Sequence, residues 1–216
     1  MTVVPSPSLS ELRERVHQMQ GRPAAQPVAT HPALAGLLQL QTGSSYSVSS
    51  ASLAMMLMAG PSGDGAWCGV VGSAELGLEA AATVGVELRR TVLVPDPGDA
   101  WLEATAALID VLGVVVVVPP AWVSDKDVSR IGARLRQRGG ILIAWGEWPR
   151  CEARVTMRDA EWVGVGRGHG HLQARRATVE VRRGTAPART ARLWLPDADL
   201  AVRRVEAPPT RLRSVS

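Results

Sequence analysis

The 216-residue sequence predicts an α/β domain: a mostly parallel sheet flanked by helices, with antiparallel hairpins towards the C-terminus and a short helix in front. Three observations carry this. From Leu34 to Gly146, short strand-like runs alternate with Ala/Leu-rich helical runs, the order in which a parallel sheet is wound. Val114–Val118 is apolar throughout, as a strand covered on both faces has to be. After Pro149 the pattern changes to partly alternating segments between Gly- or Pro-containing turns, which suits hairpins added to one sheet edge.

Taken in order, Ser8 stands three residues before Glu11, the spacing of a capping box, and Leu12, Val16 and Met19 then recur at helical spacing until Gly21 and Pro23 stop the helix. Such an isolated stripe is buried either on its own domain or on another chain, which makes this face a candidate for a partner or for self-association. Gly21–Pro32, rich in Pro and Ala, reads as a linker, so residues 1–32 form an appendage to a domain over 33–200. Within that domain the expected strands are Ala66–Val71, Thr91–Val94, Val114–Val118 and Ile141–Trp145. The expected helices are Ser49–Ala59, Leu76–Val84, Ala100–Leu112 and Asp125–Arg138. Arg154–Met157, Glu161–Val165, Ala177–Val181 and Ala191–Leu195 are the expected hairpin strands. Residues 201–216, with Pro208-Pro209, Arg211 and Arg213, read as a flexible basic tail.

Composition excludes a disordered chain: 46% of residues are hydrophobic and 20% charged. The net charge of +4 is unevenly spread. Residues 1–149 carry ten basic and thirteen acidic side chains, whereas residues 150–216 carry fourteen basic and seven acidic ones, so any pull on an anionic partner belongs to the last third. Cys68 and Cys151 lie far apart beside apolar runs and read as buried, reduced thiols. The first ten residues lack the basic-then-apolar pattern of a signal peptide, and the valine run is too short to span a bilayer. A cytoplasmic protein is expected, with no membrane partner.

In a parallel α/β sheet the ligand sits beyond the carboxyl ends of the strands, and the turn entering the helix near Ser49 is the first place to look. A phosphate loop needs glycines, a lysine and a magnesium-binding hydroxyl. Of these, the stretch Gln41–Leu53 keeps Gly43 and the hydroxyls of Ser44, Ser45, Ser49 and Ser50, with Val48 or Ser49 where lysine belongs. Pro119-Pro120 follow the valine strand where a magnesium-holding aspartate belongs, and proline offers neither carboxylate nor N–H. Nucleotide hydrolysis, a bound cofactor and catalytic residues are therefore not expected. His169 and His171, two apart on a Gly-rich turn, lack an evident third metal ligand. With Arg167, Arg175, Arg176, Arg182 and Arg183 they form a candidate set of DNA or partner contacts, arginine and close-approaching glycine both suiting a phosphate backbone.

The order of these parts resembles the RecA core: a glycine loop, a strand, Ser73-Ala74-Glu75, the run Thr83–Leu88, the strand Thr91–Val94, Pro95-Asp96-Pro97-Gly98, then the valine strand and a basic hairpin region. A closer similarity is to the ImuA-prime group, the RecA-like accessory proteins of the actinobacterial mutasome. It rests on Leu12-Arg13-Glu14-Arg15, Ala59-Gly60-Pro61-Ser62, Trp67–Gly72, Val92–Gly98, Gly168–Leu172 and Leu193-Trp194-Leu195-Pro196. The resemblance implies a non-catalytic adaptor in damage-induced mutagenesis. Its partners would be an inactive Y-family polymerase-like protein, with a DnaE-type polymerase, RecA itself and DNA as further candidates. Glu75 falls near the position of RecA's water-activating glutamate and, without a phosphate site, reads as a remnant. A divergent RecA-like ATPase using Ser44, Ser45, Ser49 and Glu75, and a DNA-binding recombination accessory protein, are the alternatives.

Overall fold

Apolar strands buried on both faces organise the computed structural model, which describes residues 24–166 and 169–205. β6 (Val114–Val117) and β7 (Ile141–Trp145) send successive side chains to opposite faces. Val114, Val116, Ile141 and Ile143 enter the core under α1 (Ala51–Gly63). Val115, Val117, Leu142 and Ala144 enter a second core under α3 (Trp101–Val111) and α4 (Asp125–Arg138). The short α2 (Leu78–Val84) joins α1 on the first face through Ala81. The expected architecture, a large mostly parallel sheet flanked by helices with antiparallel strands at the C-terminal side, is the one observed.

Among the described residues the main sheet has nine strands. β5 (Thr91–Val94), β4 (Cys68–Val71), β6, β7, β3 (Ser45–Val48) and β8 (Ala153–Gly166) run parallel in that spatial order. β8, β9 (His169–Arg182), β10 (Arg189–Trp194) and β11 (Arg203–Arg204) then continue as an antiparallel extension. A seven-residue crossover, residues 146–152, carries the chain from β7 to the parallel β8 over the buried Trp148.

Several expectations change. The segment read as the turn before the first helix contains a central strand, β3, in which Tyr46 and Val48 are buried. Two of its four residues are serines, so it carries no apolar run. The four short hairpin segments are three longer strands: Arg154–Met157 and Glu161–Val165 both lie in β8. They are separated by an irregularity at Arg158/Glu161, where Asp159 takes φ 50°. A bulge of this kind shifts the alternation of faces, so one strand reads as two. The Pro/Ala-rich linker is also partly structured, since β1 (Pro27–Val28) pairs with β2 (Leu40–Gln41). Past Leu200, Arg203 and Arg204 pair with Trp194 and Leu193. Ordered pairing therefore extends on both sides of 33–200. The N-terminal face of Leu12, Val16 and Met19 and the tail beyond Val205 lie outside the described residues.

Candidate functional site

The carboxyl ends of the parallel strands mark the edge where an α/β ligand crevice would open. β3 passes to α1 through only Ser49 and Ser50. Their polar groups are engaged: Ser49 N–H donates to the Val155 carbonyl, Ser49 Oγ accepts from Met157 N–H at 3.0 Å, and Ser50 Oγ caps α1 by accepting from Leu53 N–H. Ser47 Oγ, one turn below, donates to the Gly146 carbonyl at 2.7 Å. Next to them, Pro119 packs beside Gly146 at the ends of β6 and β7, 3.4 Å from where a Cβ on that residue would stand.

The five serine and glycine candidates do not form one loop. Gly43 and Ser44 precede β3, Ser45 begins it, and Ser49 and Ser50 follow it. The four-residue strand between them spans about 13 Å at the usual strand rise. An active centre joining Ser44 and Ser45 to Ser49 is thus not assembled. Glu75 is exposed in the turn after β4.

Gly43, Ser44 and Ser45 line a different feature, an open cavity of about 400 Å³ at the amino ends of the strands, shared with Arg136, Arg150 and Glu152. Gly43 sits at φ 75° with its α-carbon packed on α4, where a Cβ would come within 3.3 Å of Arg136 Cα. Arg150 is committed to Asp125 (3.0 Å) and Ser129 (3.2 Å).

Strand geometry divides the arginine candidates. Arg175 and Arg176 are neighbours in β9 and point to opposite faces. Arg175 turns inwards: its Nε donates to the Leu195 carbonyl at 2.8 Å, its Nη2 donates to Ser52 Oγ at 2.7 Å, and its guanidinium stacks 5.3 Å from the Trp162 ring. Burial lowers its pKa from the ordinary guanidinium value. Arg176 and Arg182 turn outwards, where they meet Arg154, Arg158 and Arg192, three residues that charge counting in the sequence could not single out. Strand parity was the missing signal. On this face Glu180 lies between Arg158 and Arg182 (3.2 and 3.1 Å), and Glu161 lies between Arg176 and Arg192 (2.7 and 4.0 Å). The Arg176 contact holds the Glu161 carboxyl below its usual range.

Other arginines of the basic third serve the fold. Arg183, Arg189 and Arg204 donate to the carbonyls of Gln39, Gly36 and Ala33, clamping the segment 33–39 to the sheet. Of the histidine candidates, His171 is exposed in β9, and His169 begins that strand. Arg167 lies outside the described residues. Among the described residues no three His, Cys, Asp or Glu side chains converge as a metal site would need, and no helix is long and apolar enough to cross a membrane. Burial pushes the Cys68 thiol up to about 11 and raises Cys151 as well, so neither is a ready nucleophile.

Two comparisons bear on kinship. Over 127 residues the chain is 32% identical to an uncharacterized protein of Mycobacterium tuberculosis, Rv3395c, a match covering 57% of this chain and 62% of that protein. The chain thus spans less than two thirds of that relative's length. The family described as the MT3502 N-terminal domain matches residues 33–150, from the first turn of the core to the crossover before β8. That region exceeds half of the sequence and holds the whole parallel wind up to β7, and the chain belongs to the MT3502 N-terminal domain family.

Proposed function

We propose that this protein is a non-catalytic RecA-like adaptor in damage-induced mutagenesis and translesion synthesis. In this reading it joins an inactive Y-family polymerase-like partner to other mutasome components in the cytoplasm, at the nucleoid. The observation that carries it is the two-residue passage from β3 to α1. A phosphate loop wraps several free N–H groups around its ligand, whereas the passage here is two residues long and Ser49 gives both its N–H and its Oγ to β8. Pro119, two residues past β6 and with β7 between β6 and β3, supplies no carboxylate. The similarity to the RecA core and to the ImuA-prime group supplies the biological setting.

Tagged full-length protein recovered from cells after DNA damage is expected to bring down the polymerase-like partner; its absence would defeat the adaptor reading. Removal of residues 206–216 is the informative truncation. A cut at 184 would remove β10, whose Leu193 is fully buried, and would report unfolding instead of lost docking. Calorimetric detection of magnesium-dependent ATP binding at micromolar affinity would refute the non-catalytic part.

The outward arginines favour a second reading, direct contact with DNA. If Arg154, Arg158, Arg176, Arg182 and Arg192 touch phosphates, replacing each by Gln lowers the slope of log K against log salt by about 0.9 per lost contact. An unchanged slope removes this reading.

A further inference from the structure

The inner face of the antiparallel extension carries a cavity that none of the functions above uses. It is about 280 Å³ and lies where α1, α2, β8, β9 and the segment after β10 meet. Met55, Val84, Leu195 and Val202 wall it with apolar surface, while Trp162 and Leu200 stand at its rim, 51% and 57% exposed. Large apolar side chains left half in water beside an open apolar cavity mark an interaction site. Arg175 forms part of the wall. Two of its donors hold Leu195 and Ser52, and among the described residues it has no carboxylate partner. A half-buried guanidinium held only by two neutral acceptors and an aromatic face gains a charge-assisted partner from an incoming carboxylate.

We propose that this cavity is a docking site for a partner polypeptide, taking a bulky apolar side chain whose neighbouring Asp or Glu pairs with Arg175. Charge decides for an acidic segment, because the cation in the wall is unneutralised. At about 280 Å³ the cavity has room for one bulky side chain. The exposed apolar surface of Trp162 and Leu200 continues outside the cavity, where a small ligand would not reach. Ser49 takes up the Val155 carbonyl and the Met157 N–H, and beyond Met157 no strand among the described residues pairs with β8 on the edge that β3 occupies lower down, so an extended segment has an edge to pair with beside the cavity. The proposal stands independently of a role in mutagenesis, since it rests on the pocket alone.

An array of blocked hexapeptides tests it. Each carries Leu, Met, Phe or Trp one or two positions from Asp or Glu and sits beside its Asn or Gln counterpart; the probe is the tagged full-length protein. Acidic peptides are expected to be retained at least tenfold over their amide counterparts. Arg175→Gln should equalise the two sets. Ala80→Trp, an exposed residue at the pocket lining, should weaken both tenfold while circular dichroism stays unchanged, which covers the case in which the arginine variant fails to fold. Equal retention of acid and amide peptides, no retention at all, or binding that survives Ala80→Trp overturns the proposal. So does micromolar uptake of decanoate without peptide binding, which would assign the cavity to a small amphiphile.

Discussion

Replacing Gly60 by Ala sets two effects of known size against each other. In an exposed helix interior the change gains about 1 kcal/mol, because glycine is the poorer helix former. In α1, however, a Cβ at residue 60 would lie 2.5 Å from the Ala29 carbonyl oxygen, 2.7 Å from Thr30 Cα and 2.8 Å from the Ala29 carbonyl carbon. All three are backbone atoms, and one of the two segments must move by more than half an ångström. α1 cannot yield, since Leu53, Met56, Leu57 and Met58 are buried around it. The segment carrying Ala29 must lift, at the roughly 1–3 kcal/mol typical of overpacking. Sterics exceed propensity, and the variant is expected to lose about 1 kcal/mol, or about 2–4 °C in Tm for a chain of this size. Gly63→Ala, in the same helix with nothing within 4 Å of the new methyl, should gain stability instead. Urea and thermal unfolding of the two variants give the signs directly. A stabilised Gly60→Ala would mean that residues 29–30 do not pack on α1 as described.

Three further outcomes can be measured. Tyr46 is fully buried and its hydroxyl accepts from Gln41 N–H at 2.8 Å, so Tyr46→Phe should cost about 1–3 kcal/mol in chemical denaturation by orphaning that donor. For Asp197, burial acts to raise the carboxyl, but the N–H groups of Ala201 and Asp199 and the Arg203 guanidinium outweigh it and hold the pKa below the ordinary value. A folded pKa beneath the unfolded one stabilises fully above about pH 4 and loses that stabilisation as pH falls further, so Asp197→Asn should flatten the acid limb of the stability profile. Cys68, with its thiol pushed up to about 11, should resist maleimide at pH 7.5 in the folded protein and react once urea unfolds it.

The parts of the fold legible in the sequence were those whose signal was local. Asp125–Arg138 was readable to the residue because Ser124 accepts from Asp127 N–H at one end and Gly139 adopts φ 71° at the other. Ile141–Trp145 was equally plain as an apolar run with Gly-Gly before it. β3 was not, since it keeps only Tyr46 and Val48 for the core and spends Ser47 on a hydrogen bond to a residue 99 positions away. The candidate site suffered from the same distance effect. Which of two adjacent arginines faces the solvent depends on the register of β9 against β10 and on a bulge in β8, neither of which leaves a mark in composition. The cavity beside Arg175 draws on five separate stretches of chain and has no linear signature.

The brevity of the link between β7 and β8 has a mechanical consequence. Seven residues reach at most about 25 Å when fully extended, and these also bury Trp148 and tie Arg150 to α4. Little slack is left for a hinge, and β8 is stitched to β3 by three paired residues at once. A load applied to the arginine face or to the rim at Trp162 is therefore passed straight into the parallel sheet, and two ligands held at these places keep a fixed spacing and orientation set by the sheet itself.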